Sequence, residues 1–212
     1  MSESVASNNL SLMPKSRSAI RQNIRQQRQQ LTSQQQDNFA TQLLQHFITD
    51  PKILQATHIA IYLTNDGELN TEVLIAWCWQ QGKQVYLPVL HPFAKGHLLF
   101  LHYEQQTTLV KNQYGIAEPK LDVRSIIPVH QLDIICTPLV AFDKSGARLG
   151  MGGGFYDRTL ADWYISYKSR KLTKPYPIGL AHNCQLVETL PAQQWDIPLP
   201  EIITPAKHYK FD

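Results

Sequence analysis

The sequence predicts an α/β domain built in three layers, with helices on both faces of a mainly parallel sheet. Three observations predict it. Short β-branched runs alternate with segments of helical period along most of the chain. The most apolar run, "LDIICTPLVAF" at 132–142, leads through a turn into a cluster of glycines and then into another helix-like segment. The 212 residues are 43% hydrophobic, enough for one sizeable core.

The elements follow in order. Residues 1–15 are polar and read as a disordered tail, and the rest, 16–212, as a single domain. Residues 17–31 have helical period: Ile20, Ile24 and Leu31 form an apolar stripe, with Arg17, Arg21, Arg25 and Arg28 recurring on a neighbouring face. Thr32 or Ser33 can cap a second helix over 34–48, with Phe39, Leu43, Leu44 and Phe47 turned inward. The Gln-rich stretch 26–36 reads as solvated helix surface. "THIAIYLT" (57–64) is a buried strand, 70–81 a helix, and "KQVYLPVL" (83–90) and "HLLFLHY" (97–103) are strands. After the strand at 132–142 the sequence predicts a helix over 155–168, then short strands at "YPIGLA" (176–181) and "EIIT" (201–204).

Composition excludes several classes. Cys78, Cys136 and Cys184 are far apart and form no CxxC pair, which argues against a disulfide framework and a structural zinc site. The eight histidines show no HxH or HExxH spacing. The N-terminus lacks the apolar stretch of a secretory signal, and no run approaches the ~18 apolar residues of a membrane span. A cytoplasmic protein with no membrane partner is expected. The formal charge is +3, yet Lys15, Arg17, Arg21, Arg25 and Arg28 alone carry +5, leaving −2 for the remainder. Basic charge so localised points to one local anion rather than a nucleic-acid surface.

"RLGMGGGFYDRTL" (148–160) is the densest motif. Gly150, Gly152, Gly153 and Gly154 stand within five positions of a chain that has ten glycines in all. Glycine is costly to order, so a cluster marks backbone at positive φ or backbone approached by something bulky. A glycine loop entering a helix offers N–H groups and a positive dipole end, both suited to phosphate. The pattern is neither a Walker A nor a Rossmann dinucleotide fingerprint. Arg148 adds a planar fork of donors. Asp157 adds a hard oxygen of the kind magnesium prefers. Together they favour a nucleotide site over a plain flexible turn.

The same stretch, "RLGMGGGFYDR" (148–158), resembles the signature of the 5-formyltetrahydrofolate cyclo-ligase family, also called methenyltetrahydrofolate synthetases. The resemblance runs on from about residue 16. "RSAIRQNIRQQRQQLT" (17–32), "IAIYLTNDGELNT" (59–71), "VYLPVL" (85–90), "YGIAEP" (114–119), "DIICTPLVAFDKSGARLG" (133–150) and "WDIPLPEIITP" (195–205) fall in the family's order.

The resemblance implies a Rossmann-like fold, similar to those of sugar-phosphate isomerases and CoA transferases. It also implies ATP- and magnesium-dependent closure of 5-formyltetrahydrofolate to 5,10-methenyltetrahydrofolate, through a phosphorylated formyl intermediate. Carried over by position, Arg17, Ser18, Ala19, Ile20 and Arg21 would contact ATP. So would Arg148, Leu149, Gly150, Met151, Gly152, Gly153, Gly154, Phe155 and Tyr156, with Arg148 the catalytic cation. Leu63, Glu68, Tyr114 and Phe155 would meet the folate, and Asp157 and Asp196 would hold magnesium. A monomer is expected. Departures from the family pattern are small. Arg17 stands where members often have Lys, Phe155 where Tyr is common, and Pro200 where an Asp is frequent.

Each residue has a plain structural alternative. The arginine stripe could be a solvated helix face, Glu68 part of a turn, and Asp196 the cap of a short turn. Tyr114 and Tyr156 could be core. Two rival functions use the same features: an isomerase or acyl-CoA transferase-like enzyme with a phosphate in the glycine loop, and a nucleic-acid-binding module built on the basic helix. The second predicts binding that falls steeply with salt.

Overall fold

Ser16 opens the first helix: its Oγ accepts the backbone N–H of Ala19, and α1 runs Arg17–Gln29. The computed structural model of the protein describes residues 16–169 and 174–211; the tail expected at 1–15 lies outside the described residues. Of the two caps open in the sequence, Thr32 is the one used. It forms a reciprocal capping box with Gln35 ahead of α2 (Ser33–Phe47). A short α3 (Pro51–Gln55) follows, with Asp50 as its cap and proline at the first position, where a missing N–H costs nothing.

Next come β1 (His58–Ala60), α4 (Glu72–Gln80), β2 (Gln84–Leu90) and β3 (Leu98–His102). A hairpin of β4 (Leu109–Lys111) and β5 (Ala117–Pro119) and a two-residue β6 (Ile126–Ile127) precede β7 (Ile134–Pro138). The chain then makes the small hairpin β8 (Ala141–Phe142) and β9 (Arg148–Leu149) before α5 (Phe155–Thr159) and α6 (Ala161–Lys168). It ends with β10 (Tyr176–Leu180), β11 (Glu201–Ile203) and β12 (His208–Lys210).

Eight strands form one sheet in the order β12-β11-β10-β7-β1-β2-β3-β6. The inner neighbours from β11 to β2 are parallel, and β12, β3 and β6 are antiparallel at the edges. Alternation along β1 separates the two faces. Ile59 points into a core with α2, α3 and α4 (Leu43, Phe47, Ile53, Leu74, Cys78). Ala60 points into a second core with Phe100, Phe142, Leu160 and Trp163. A third, smaller cluster packs Ile20 and Ile24 of α1 on Val140, Ala141 and Leu149. The three-layer α/β prediction is therefore observed. Cys78 and Cys136 are buried free thiols and Cys184 is half-buried.

Three expected elements are interrupted. The strand at 132–142 leaves the sheet after Pro138, because the Val140 N–H turns to the carbonyl of Leu149 at 2.7 Å and starts the small hairpin. The strand at 57–64 keeps ladder pairing only over His58–Ala60; beyond it, Thr71 Oγ1 takes the carbonyl of Tyr62. The helix over 155–168 is jointed at Leu160, whose fully buried side chain anchors the bend.

Candidate active site

The glycines serve distinct local needs. Gly152 and Gly154 have φ of 101° and 65°, which side-chain-bearing residues rarely adopt. At Gly153 a Cβ would lie 2.6 Å from the Phe155 ring. The loop therefore winds tightly enough to expose its backbone beside the carboxyl ends of the parallel strands, where ligands of α/β sheets bind. Its helix is shorter than expected. At five residues, α5 supplies little dipole, so the loop's own amides and the nearby arginines carry any anion binding.

Arg148 enters from β9 and is only 4% exposed. Its Nη2 donates to Asp157 Oδ1 at 2.6 Å and its Nε to the Ile197 carbonyl at 3.2 Å. Burial lowers its pKa, and the facing Asp157 opposes that shift. The same Asp157 oxygen accepts the Ile197 N–H at 3.2 Å. One residue earlier, Asp196 accepts both terminal nitrogens of Arg17, with Nη2 to Oδ1 at 2.9 Å, and also the Gln193 N–H. Burial works against the Asp196 charge, but the Arg17 and Gln193 hydrogen bonds outweigh it and hold its pKa below the usual carboxylate range. The two carboxylates read as magnesium ligands thus lie side by side, each engaged by an arginine read as an ATP contact.

The basic stripe of α1 is not a free anionic footprint. Arg25 and Arg28 both pair with Asp66, and Arg17 with Asp196. Arg28 is fully buried and also donates to the carbonyls of Asp66 and Leu139. The sequence grouped it with a solvent-facing stripe; its real partner lies in a distant loop. Arg21 is the exception among the four. Its Nε holds the Gly150 carbonyl at 2.7 Å, and it has no carboxylate partner among the described residues. Burial and the neighbouring Arg17 lower its pKa. The other three arginines of the stripe are each paired with a carboxylate.

Of the remaining expected ATP residues, Ile20 and Leu149 turn their side chains into the third core cluster, so only their backbones face the loop region. Ser18, Ala19 and Met151 are exposed. The expected folate residues fall into two places, Tyr114 with Phe155 and Leu63 with Glu68. Tyr114, at the tip of the β4–β5 hairpin, is exposed and meets Phe155 edge-on at 6.3 Å. Leu63 packs partly on the first core cluster. Glu68 closes a turn with Asn65, and burial raises its pKa to about 7. Tyr156 is desolvated beside Glu68 and packs on the second cluster.

Arg158 touches the glycine loop, a contact that reading the motif did not find. Its Nε donates to the Gly96 carbonyl at 2.7 Å and its Nη2 to the Gly153 carbonyl, tying the glycine loop to the loop after β2. The signal was the second arginine of "RLGMGGGFYDR".

Comparison with known proteins converges on one family. The profile of the 5-formyltetrahydrofolate cyclo-ligase family matches residues 13–205. The chain is 52% identical to the 5-formyltetrahydrofolate cyclo-ligase of Escherichia coli K12 over 188 residues, covering 89% of this chain and all of that protein. It is 50% identical over 188 residues to the enzyme of that name from Haemophilus influenzae, covering 88% of this chain and 96% of the relative. The fold matches the solution structure of 5,10-methenyltetrahydrofolate synthetase from Aquifex aeolicus with a TM-score of 0.75 at 24% identity, covering 92% of each chain.

Proposed function

The chain belongs to the 5-formyltetrahydrofolate cyclo-ligase family, and from that premise we propose that it closes 5-formyltetrahydrofolate to 5,10-methenyltetrahydrofolate with ATP and magnesium, releasing ADP and phosphate. The observation that carries the reading is the position of Arg21: a cation without a carboxylate partner among the described residues, hydrogen-bonded to the glycine loop beside two arginine–aspartate pairs.

The chemistry needs such a site. A formamide oxygen is a poor leaving group. Moving the γ-phosphoryl group of ATP onto it turns it into phosphate. The second folate nitrogen then attacks the formyl carbon, loses its proton, and phosphate departs with the C–O electron pair. Phosphoryl transfer is mostly positioning and charge stabilisation, so no conventional nucleophile is required. Arg21 and the loop amides bind the phosphate chain, with Arg148 and Arg17 beside them, each paired with an aspartate. Tyr114 and Phe155 cover the flat ring system and keep water from the activated intermediate.

The donor set suits magnesium. Asp157 and Asp196 offer hard oxygens on adjoining segments, and magnesium is usually bound by one or two carboxylates together with substrate phosphates. When bound, the ion neutralises phosphate charge; Asp157 and Asp196 would hold it. We place the reaction in the cytoplasm, in a monomer. Absorbance of the methenyl product, followed with and without ATP and magnesium, tests the reading. Product should form only with both, with one ADP per ring closed. Turnover without ATP would sink it.

A further inference from the structure

Helix α1 touches both substrate loops. Its first half reaches the ATP side through Arg17–Asp196 and through Arg21 on the Gly150 carbonyl. Its second half reaches the folate side, where Arg25, Arg28 and Gln29 all converge on Asp66. Arg25 Nε lies 2.6 Å from Asp66 Oδ2, and Arg28 Nη2 lies 3.0 Å from both that oxygen and the Asp66 carbonyl. Asp66 sits at φ 51° and Gly67 at φ 68°, a left-handed pair folded against the α1 backbone. A Cβ on Gly67 would be 3.3 Å from the Arg28 carbonyl. The next residue is Glu68.

That arrangement gives two neighbouring carboxylates different fates. Asp66 takes the guanidinium groups, while the only hydrogen bond Glu68 accepts among the described residues is the Asn65 N–H at 3.3 Å. Around Glu68 stand Arg28 from α1, Asp66 on the same turn, Tyr62 beyond β1, Tyr156 of α5 and His182 after β10. The arginine is already engaged and the two tyrosines are neutral. His182 is fully buried, and burial, with Arg28 beside it, pushes its pKa down to about 4, so it too is uncharged.

We propose that Asp66 is a positioning residue for Glu68: by engaging the arginines of α1, it keeps the Glu68 carboxyl unpaired and free to take up a proton where the folate and ATP loops meet. The inference rests on the ring-closing reading. In that reaction the attacking nitrogen forms its bond to the formyl carbon and gives its proton to the Glu68 carboxylate. The C–O bond to phosphate then breaks, and its electrons leave with the phosphate. A carboxylate locked to an arginine would accept that proton poorly, because an opposite charge at contact distance favours the ionised form.

The test is a carbon NMR titration of the whole protein labelled at glutamate carboxyls, with Glu68→Gln identifying the Glu68 signal. In the wild type that signal should titrate near neutral pH. Asp66→Asn tolerates the left-handed backbone yet loses its charge, which frees Arg28 to turn to Glu68. Its midpoint should then fall by about one pH unit or more, and the acid limb of kcat/KM for the folate should follow it, with KM for ATP unchanged. Asp66→Glu, which can still hold the arginines, should restore both. A wild-type Glu68 signal titrating in the ordinary carboxylate range overturns the proposal even if no variant folds. So does an unchanged midpoint in Asp66→Asn. If the wild type forms no methenyl product, the ring-closing reading falls, while the carbon titration still decides whether Asp66 sets Glu68.

Discussion

Arg148 is buried, and its guanidinium lies 2.6 Å from the carboxylate of Asp157, nine residues on and across the glycine loop. The pair fastens β9 to α5 and so fixes the two ends of the loop. It also gives Arg148 a structural role beside the catalytic one proposed for it.

Arg148→Ala should therefore do two things. It should cut kcat/KM by about 100-fold or more, as loss of one charged contact in a water-poor site does. It should also lower the melting temperature, because removing one side of a largely buried pair costs roughly 3 kcal/mol. Asp157→Asn can keep the Ile197 hydrogen bond but leaves the buried Arg148 charge without its counter-ion, so it should melt lower as well. Its defect should appear as a higher magnesium requirement for half-maximal rate. Kinetics and melting measured together check this; a folded Arg148→Ala with near-normal turnover would remove Arg148 from the mechanism.

Arg21 and Arg17 should separate cleanly. Arg21 has no carboxylate to abandon, so Arg21→Ala should weaken ATP binding about tenfold with little change in melting. Arg17→Ala also strips Asp196 of its partner and should lower both affinity and melting temperature. Calorimetric ATP titration with thermal unfolding gives the order. Loss of folate binding alone, in either variant, would contradict the assignment to ATP.

Tyr114 is 59% exposed and touches Phe155 only by its edge, so the fold hardly depends on it. Tyr114→Ala should leave melting unchanged and raise KM for the folate about fivefold, the worth of one aromatic contact. An unchanged KM would mean that the hairpin tip does not reach the substrate.

A second cluster of charges, around Glu201, contributes to acid stability. Glu201 is buried between Lys52 Nζ at 2.6 Å, Tyr176 Oη at 2.9 Å and His208 Nε2 at 2.8 Å. Burial opposes its charge, yet those partners bring its pKa down to about 2. A depressed carboxylate stabilises the fold above its unfolded pKa, and that contribution is lost as pH falls through the folded value. Wild type should thus lose stability between about pH 4.5 and pH 2, by about 1–2 kcal/mol from this group after solvent screening at its rim. Glu201→Gln should be less stable at neutral pH and flatter over that window in urea unfolding. A parallel pH dependence in both proteins would clear Glu201.

The alternation of strands and helices and the glycine loop were legible because both are local. Period reports which face of an element is apolar, and a glycine cluster reports special backbone within a few residues. What period cannot report is the partner. Arg28 fits the same stripe as Arg21, yet it is buried against Asp66 while Arg21 lies on the glycine loop. The β8–β9 hairpin was hidden because two-residue strands have no period to read, and the residues of β8 complete an apolar run that reads as continuous. The cluster of Asp50, Glu201 and His208 comes from three separate segments, and nothing in their spacing joins them.

The fate of one oxygen tests the intermediate. If the formyl oxygen accepts the γ-phosphoryl group, it must leave as part of inorganic phosphate. Substrate carrying heavy oxygen in its formyl group should then transfer the label to phosphate, one atom per turnover. The site's geometry motivates this: Arg21 and the glycine-loop backbone stand beside the Arg148–Asp157 and Arg17–Asp196 pairs, a setting suited to the transferring end of ATP. Adenylation would instead place the label in AMP and release pyrophosphate. ATP hydrolysis that only drove a conformational step would leave the label in water. Mass analysis of phosphate, AMP and water distinguishes the three. Label in AMP or water would overturn the phosphorylated intermediate even with ring closure confirmed, because the oxygen that leaves records which bond to phosphorus was made.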